Sequence, residues 1–175
     1  MLFASLLHFA LLAFFLFMLV SLMMSVLSFA PWVPIRRRDI ERVFRLAGIR
    51  QGEVFYDLGC GDGRMVFAAA RRGARATGIE LAAPLWCIAK FRQIFFRGGE
   101  AHIVFGDLFR ADISGADVVF CFSIPSRLGE PFSSKLMREM KPGARVVSYI
   151  FKIPGLPPPH EDRPPGENPI YLYRI

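Results

Sequence analysis

VFYDLGCGDGRM, residues 54–65, carries the glycine pattern D-x-G-x-G-x-G between Asp57 and Gly63. The pattern leaves an apolar run typical of a buried strand, residues 54–58, and opens a segment of helical composition, residues 64–72. Glycines at such a turn let backbone amides approach a ligand closely, and the following helix N-terminus offers unpaired N–H groups to an anionic group. The stretch therefore predicts a nucleotide-type ligand at a strand-to-helix turn.

Two kinds of ligand compete for a loop of this type. The dinucleotide fingerprint is G-x-G-x-x-G, but here the third glycine comes one residue earlier and Arg64 occupies the dinucleotide position. An acidic residue, Asp57, also stands two places before the first glycine. The spacing disfavours a nicotinamide-dependent oxidoreductase and resembles motif I of class I S-adenosylmethionine-dependent methyltransferases.

Outward from the motif, strand-like and helix-like segments alternate. Strands are predicted at residues 54–58, 75–80, 101–105, 117–122, 144–151 and 170–175, and helices at 39–46, 64–72, 84–97 and 131–140. Such alternation predicts an α/β fold with a doubly wound, mostly parallel sheet of Rossmann-like type. Seven of the 13 prolines fall between Pro154 and Pro169, which predicts a loop and leaves open whether a further strand exists there.

Two acidic residues stand where the predicted second and third strands end. Glu80 ends the second strand, where a carboxylate is placed to accept both hydroxyls of a ribose. Asp107 follows the third strand, where a carboxylate is placed to accept the amino group of an adenine. Together with the glycine loop, these acids predict S-adenosyl-L-methionine as the cofactor.

Residues 1–30 contain no charged side chain. A bilayer requires ~20 apolar residues in a helix, so the segment predicts an uncleaved transmembrane anchor, with a juxtamembrane linker at 31–38 and the catalytic domain at 39–175. Because Arg36, Arg37 and Arg38 follow closely, the positive-inside rule predicts a cytoplasmic domain. We therefore expect a single-pass protein of the cell (inner) membrane, with the lipid bilayer as one partner.

Composition excludes several other classes of protein. The three cysteines, Cys60, Cys87 and Cys121, are odd in number and lack C-x-x-C pairing, which argues against a disulfide framework and a zinc site. No metal site is expected. The net charge of +7 is carried mostly by arginine, but no basic run is interleaved with aromatic residues. We therefore expect no nucleic-acid partner.

The resemblance to a known family extends beyond the glycine loop and spans roughly Pro31 to Phe151. Residues 33–81, residues 135–151 (KLMREMKPGARVVSYIF) and the final IYLYRI are similar to the membrane-anchored protein-lysine methyltransferases related to the mitochondrial ATP synthase c-subunit enzyme. Archaeal lysine methyltransferases of broad specificity are similar too. The resemblance implies a protein-lysine N-methyltransferase with cofactor contacts at Asp57, Gly59, Gly61, Gly63, Glu80, Asp107 and Leu108. It also implies a methyl-transfer site lined by Phe122, Ser123, Ile124 and Pro125.

The residues define the methyl acceptor less well than they define the cofactor. No general base is evident, and a lysine with a pKa of ~10.4 costs ~4–5 kcal/mol to deprotonate at neutral pH. Desolvation and a nearby sulfonium lower that pKa, so a base-free site is compatible with lysine on a membrane-associated protein. A stripe of Ser21, Ser25 and Ser28 would also suit a partner helix. A small-molecule or lipid methyltransferase, or a non-catalytic cofactor-binding membrane protein, would share every predicted cofactor residue.

Overall fold

The computed structural model describes the backbone of residues 2–28 and 33–175, and the side chains of residues 5–23 and 33–175. The helices are α1 (Leu2–Ser28), α2 (Arg37–Ala47), α3 (Arg64–Ala70), α4 (Ala83–Phe95), α5 (Pro125–Leu128) and α6 (Phe132–Glu139). The strands are β1 (Val54–Leu58), β2 (Arg75–Glu80), β3 (Ala101–Phe105), β4 (Val118–Cys121), β5 (Arg145–Tyr149), β6 (His160–Asp162) and β7 (Ile170–Arg174).

The seven strands form one sheet in the order β3-β2-β1-β4-β5-β7-β6. The first five strands in the chain pair in parallel, and β7 runs antiparallel to both β5 and β6. The predicted mostly parallel sheet is confirmed. The chain order reverses at β1, which lies between β2 and β4, and ligands of open α/β sheets bind in the crevice at such a switch point.

Helices cover both faces of the sheet, as a doubly wound fold requires. On one face α2, α3 and α4 bury Val43, Val66 and Ala89 against strand residues such as Phe55. On the other face the α6 residue Leu136 and its neighbours pack against a second set of strand residues. The strands supply side chains to both faces alternately, so the two cores share one rigid sheet.

The proline-rich segment contains a strand that the sequence left open. β6 is three residues long and pairs only with β7 at the edge of the sheet. Prolines on both sides of it lack the N–H that a longer ladder would need. The short helix α5 was not predicted either.

A buried polar network ties α2 to this C-terminal region. Asp39 accepts hydrogen bonds from Arg42 at 2.9 Å and from the Tyr149 hydroxyl at 2.5 Å. Arg42 also pairs with Asp162 of β6 at 2.9 Å, and the Asn168 amide donates to the Tyr149 hydroxyl. Because Asp39 is fully buried, its charge requires these partners.

The N-terminal helix α1 is long and apolar enough to cross a membrane over Ser5–Met23, with a mean hydropathy of 2.5. Most of its described side chains are exposed, but Ser21 is buried against the domain. The predicted boundary between residues 30 and 31 lies outside the described residues. Toward the end of the predicted linker, Ile35 is buried in the core and α2 begins at Arg37.

Candidate functional site

A cleft opens where β1, β2, β3 and β4 end, at the switch point of the sheet. Its lining combines the glycine loop, the residues after β2 and β3, and an apolar wall. The polar part of the lining includes Asp57, Gly59, Gly61, Asp62, Arg64, Glu80, Gly106 and Asp107. The apolar part includes Val33, Pro34, Ile35, Met65, Ile79, Leu81, Leu85, Leu108, Phe109, Phe120 and Phe122.

The loop between β1 and α3 is shaped by its glycines. Gly61 has a φ of 57° and Gly63 a φ of 78°, in the left-handed region that disfavours other residues. A Cβ on Gly63 would stand 2.8 Å from the ring of Phe67, which packs α3 against the sheet. Gly59 and Gly61 line the cleft, but Gly63 does not. The structure thus places Gly63 against the helix α3, while the family resemblance implied a cofactor contact there.

Glu80 lies beneath this loop with both carboxylate oxygens occupied by backbone donors. Its Oε2 accepts the N–H of Gly61 at 2.8 Å, and its Oε1 accepts the N–H of Ala82 at 2.8 Å. Each oxygen has a second lone pair, so the carboxylate is able to accept two hydroxyl groups as well. Glu80 therefore both fixes the glycine loop and presents acceptors to the cleft.

Asp57 and Glu80 form a buried pair of carboxyl groups facing the same cleft. Burial raises the pKa of Asp57 well above its usual range, and the charges of Glu80 and Asp62 raise it further. Burial also raises the pKa of Glu80, partly offset by its backbone N–H donors. Such a pair favours a cationic ligand, because a positive charge beside them would stabilise the ionised forms.

Asp62 differs because arginines neutralise it. Burial alone would raise its pKa, but the hydrogen bonds and charges of Arg64 and Arg92 bring the pKa below its usual value. Arg64 also donates to the carbonyl of Ile35 at 3.0 Å. Residues 33–35, which we call the strap, line the cleft and are held through this hydrogen bond to the N-terminus of α3. The sequence did not identify the strap or Arg64 as site residues, because their contact joins distant parts of the chain.

The far side of the cleft is formed after β3. Asp107 and Leu108, both predicted cofactor contacts, line it, and the Asp107 Oδ1 accepts the N–H of Phe109 at 2.9 Å. The N–H of Gly106 donates to the carbonyl of Glu80 at 3.0 Å, which fixes this turn beside β2. The cleft lining thus combines apolar side chains, among them Leu108 and Phe109, with the carboxylate of Asp107.

The predicted methyl-transfer segment is brought only in part to the cleft. Phe122 lines it, while Ser123, Ile124 and Pro125 are absent from its lining. Ser123 is buried, Ile124 is exposed, and Pro125 begins α5. Phe122 is fixed edge-on against Tyr149, with ring centroids 4.9 Å apart.

Nearby thiol and phenol groups are poorly suited to act as bases. Burial raises the pKa of Cys121 to about 12, and burial together with the hydrogen bond to Asp39 raises the pKa of Tyr149 to about 12. Burial and the carboxylates around it also raise the pKa of Cys60 well above its usual range. These three groups stay protonated at neutral pH.

S-adenosylmethionine fits this cleft on the chemistry of its residues. The molecule carries a sulfonium and an ammonium, which match the buried carboxyl pair of Asp57 and Glu80. Its ribose hydroxyls match the free lone pairs of Glu80, and its adenine matches the apolar lining with the carboxylate of Asp107. The glycine loop leaves backbone room for the amino-acid end.

Comparisons with known proteins agree on one family. A model of the ANTKMT methyltransferase domain matches residues 57–160. A protein-lysine N-methyltransferase of Saccharolobus islandicus (strain REY15A) is 36% identical over 159 residues, covering 87% of this chain and 98% of that protein. The ATP synthase c-subunit lysine N-methyltransferase of Homo sapiens is 34% identical over 132 residues, covering 74% of this chain but only 55% of that protein.

A solved structure has a similar fold and was determined with S-adenosyl-L-homocysteine. The crystal structure of an RNA methyltransferase from Salinibacter ruber in complex with S-adenosyl-L-homocysteine has a TM-score of 0.76 and 34% sequence identity. The match covers 82% of this chain and 94% of that chain. The glycine loop, the strand-end carboxylates and these relatives converge. The chain belongs to the ANTKMT methyltransferase domain family and is an S-adenosylmethionine-dependent methyltransferase.

Proposed function

We propose that this chain is a protein-lysine N-methyltransferase held by α1 in the cell (inner) membrane, with its domain in the cytoplasm. Its acceptor is a lysine of a membrane protein close to the membrane surface. The lysine acceptor is supported by the relatives from Saccharolobus islandicus and Homo sapiens, both of which are named for lysine methylation.

One contact carries the membrane part of this proposal. The Ser21 hydroxyl accepts the N–H of Ala83 at 2.7 Å and donates to the carbonyl of Leu81 at 3.3 Å. These residues directly follow Glu80, so α1 meets the domain at the edge of the sheet that carries the cofactor cleft. Ser21 lies two residues from the end of the apolar window Ser5–Met23. A domain held this way works next to the surface of the membrane that α1 crosses.

The same contact changes the role of the serine stripe. The Ser21 hydroxyl is engaged by its own chain, which supports a docking role toward the domain rather than toward a partner helix. The side chains of Ser25 and Ser28 lie outside the described residues.

The apolar wall of the cleft suits an amine acceptor. S-adenosylmethionine, when bound, supplies a methyl group carried on a sulfonium. Val33, Ile35 and Phe122 line the cleft, and such apolar side chains would desolvate an incoming amine. Desolvation lowers the pKa of a lysine ammonium, and the face of an aromatic ring attracts a cationic amine. The chain thus supplies positioning and desolvation, with the proton leaving to water.

The experiment measures where the methyl group goes. Full-length protein in vesicles is incubated with methyl-labelled S-adenosylmethionine and with acceptor membranes. These membranes come from source cells in which this protein has been deleted. Protein, lipid, RNA and small-molecule fractions are then separated, and the protein fraction is hydrolysed to amino acids. We expect label in methylated lysine from membrane proteins, and none with the Asp57→Asn variant.

Other outcomes distinguish the competing acceptors. Label only in lipid or in small molecules would overturn the lysine assignment, and label in RNA would favour the activity named for the Salinibacter ruber protein. Cofactor binding without label in any fraction would mean a non-catalytic protein.

A further inference from the structure

The outer face of α4 is apolar, although it points away from the core. α4 packs Leu85 and Ala89 inward. Its opposite side presents Ile88, Phe91, Ile94 and Phe95, which we call the α4 face, with exposures of 48%, 63%, 59% and 65%. The spacing i, i+3, i+6, i+7 places the four on one side of the helix. A surface helix of a water-soluble domain is expected to be polar there.

The exposed side chains form a continuous patch rather than scattered single residues. The rings of Phe91 and Phe95 touch edge to face at 5.1 Å. On the neighbouring edge strand β3, Phe105 is also 47% exposed, and it packs against Trp86 of α4. Single exposed apolar residues are ordinary, but contiguous patches mark surfaces that another apolar phase or molecule covers.

The position of α4 indicates what covers this patch. The N–H of Ala83, the first residue of α4, donates to Ser21, near the end of the apolar window of α1. A helix of 13 residues is about 20 Å long, so the whole α4 face lies within that distance of the joint with α1. Both helices thus carry exposed apolar side chains within about one helix length of their contact, and a membrane is a medium that would cover both.

The charges around the face favour lipid headgroups. α4 contains Lys90 but no acidic residue, and Arg97 follows its end, whereas Arg92 is paired with Asp62. Lys90 and Arg97 are both exposed. An apolar face flanked by basic side chains is the composition of a helix that lies in a membrane interface, where anionic headgroups attract the basic residues.

We propose that α4 lies in the headgroup region of the membrane that α1 crosses, with Ile88, Phe91, Ile94 and Phe95 inserted toward the acyl chains. This inference rests on the membrane anchoring in the proposed function. The domain is then held by two contacts instead of one flexible tether. Because α4 begins next to Glu80, the cofactor cleft is kept at a constant height above the membrane, which restricts acceptors to lysines close to its surface.

The chain contains its own reporter for this contact. Cys87 is exposed next to Ile88, one helical turn from Phe91, whereas Cys60 and Cys121 are buried. Full-length protein is labelled at Cys87 with an environment-sensitive fluorophore and reconstituted in vesicles of phosphatidylcholine and phosphatidylglycerol. We expect quenching by lipids with a nitroxide near the headgroup, and protection from aqueous iodide.

Matched variants give the test its controls. A probe at Met137→Cys in a Cys87→Ser background, on the exposed side of α6, should show the opposite pattern. The double variant Phe91→Glu/Phe95→Glu should lose the protection of Cys87 and the methylation of membrane proteins, while its cofactor affinity stays unchanged. Its co-flotation with vesicles through α1 should also persist.

Two results would overturn the proposal. One is equal iodide access at Cys87 and at the α6 probe. The other is protection of Cys87 from iodide without quenching by the nitroxide lipids. If a pyrene label at Cys87 then also formed excimers, the α4 face would be assigned to a second copy of the chain. Loss of co-flotation in the unmodified protein is a separate result, because it would instead contradict anchoring by α1.

Discussion

The carboxylate of Glu80 accepts two backbone N–H groups, from Gly61 and Ala82, and faces the cleft. Glu80→Gln removes the charge and turns an NH₂ group toward one of these donors. Because hydrogen bonds to charged groups contribute about 1.5–3 kcal/mol, we expect S-adenosylmethionine affinity to fall by about 10–100-fold. Calorimetric titration measures the change. Glu100→Gln, at an exposed carboxylate, should keep the original affinity, and an unaltered affinity in Glu80→Gln would contradict the assignment.

The pKa of Asp57 lies well above its usual range because the group is buried beside other carboxylates. A cationic cofactor favours the ionised form, so binding should expel a proton. Affinity should therefore rise as pH increases through this raised pKa and fall as pH decreases. Titrations in buffers of different ionisation enthalpy measure the released proton.

The matched variant for this titration is Asp57→Asn, which has no proton to release at that position. It should bind more weakly and show a smaller pH dependence, with Glu80 contributing the remainder, because the pKa of Glu80 is raised as well. An unchanged pH slope in Asp57→Asn would show that the proton comes from another group.

The N-terminus of α4 has no capping side chain of its own, and Ser21 of α1 provides one instead. Losing a helix cap typically costs about 1 kcal/mol, which lowers the melting temperature of a domain of this size by about 2–4 °C. We expect this loss for Ser21→Ala in detergent, measured by thermal unfolding. Ser21→Thr retains a hydroxyl and should be closer to the original. Equal melting temperatures for the original protein, Ser21→Ala and Ser21→Thr would indicate that α1 does not cap α4.

β2 and the glycine loop approach each other closely at Gly78. A Cβ there would stand 2.6 Å from Val66 and 2.7 Å from Cys60, with no space to accept it. Overpacking of this kind costs about 1–3 kcal/mol, so Gly78→Ala should lower the denaturant midpoint and weaken cofactor binding together. Gly115→Ala, where a Cβ would meet nothing within 4 Å, is the control. Similar midpoints for the two variants would contradict the close packing.

The whole molecule is predicted to cross the membrane once, with its domain inside. Arg36, Arg37 and Arg38 follow the apolar helix closely, and basic residues near the end of a span are retained in the cytoplasm. Reporters fused to the C-terminus of the full chain should be active only as cytoplasmic reporters. Replacing the three arginines by asparagine should weaken this preference, whereas replacing Arg75, Arg110 and Arg174 should not. A periplasmic signal from the unmodified fusion would contradict the topology.

The class of fold and the cofactor could be read from local sequence. The spacing from Asp57 to Gly63 predicted the tight turn, and the positions of Glu80 and Asp107 at strand ends predicted their place in the cleft. Turn residues and the alternation of apolar residues in a strand act over a few neighbouring positions. A single short segment is therefore enough to predict the turn and the strand. The family predicted from these segments is confirmed.

Other features depend on residues that meet only in the folded chain. β6 exists where β7 offers an open edge and where Asp162 pairs with Arg42, 120 residues away. The strap lines the cleft because Arg64 holds the carbonyl of Ile35, and Gly63 serves packing because Phe67 lies behind it. α1 caps α4 through a hydroxyl that the sequence only grouped with other serines. Packing and long-range hydrogen bonds decide these features, because a short polar segment has no stable structure until its partner is in place.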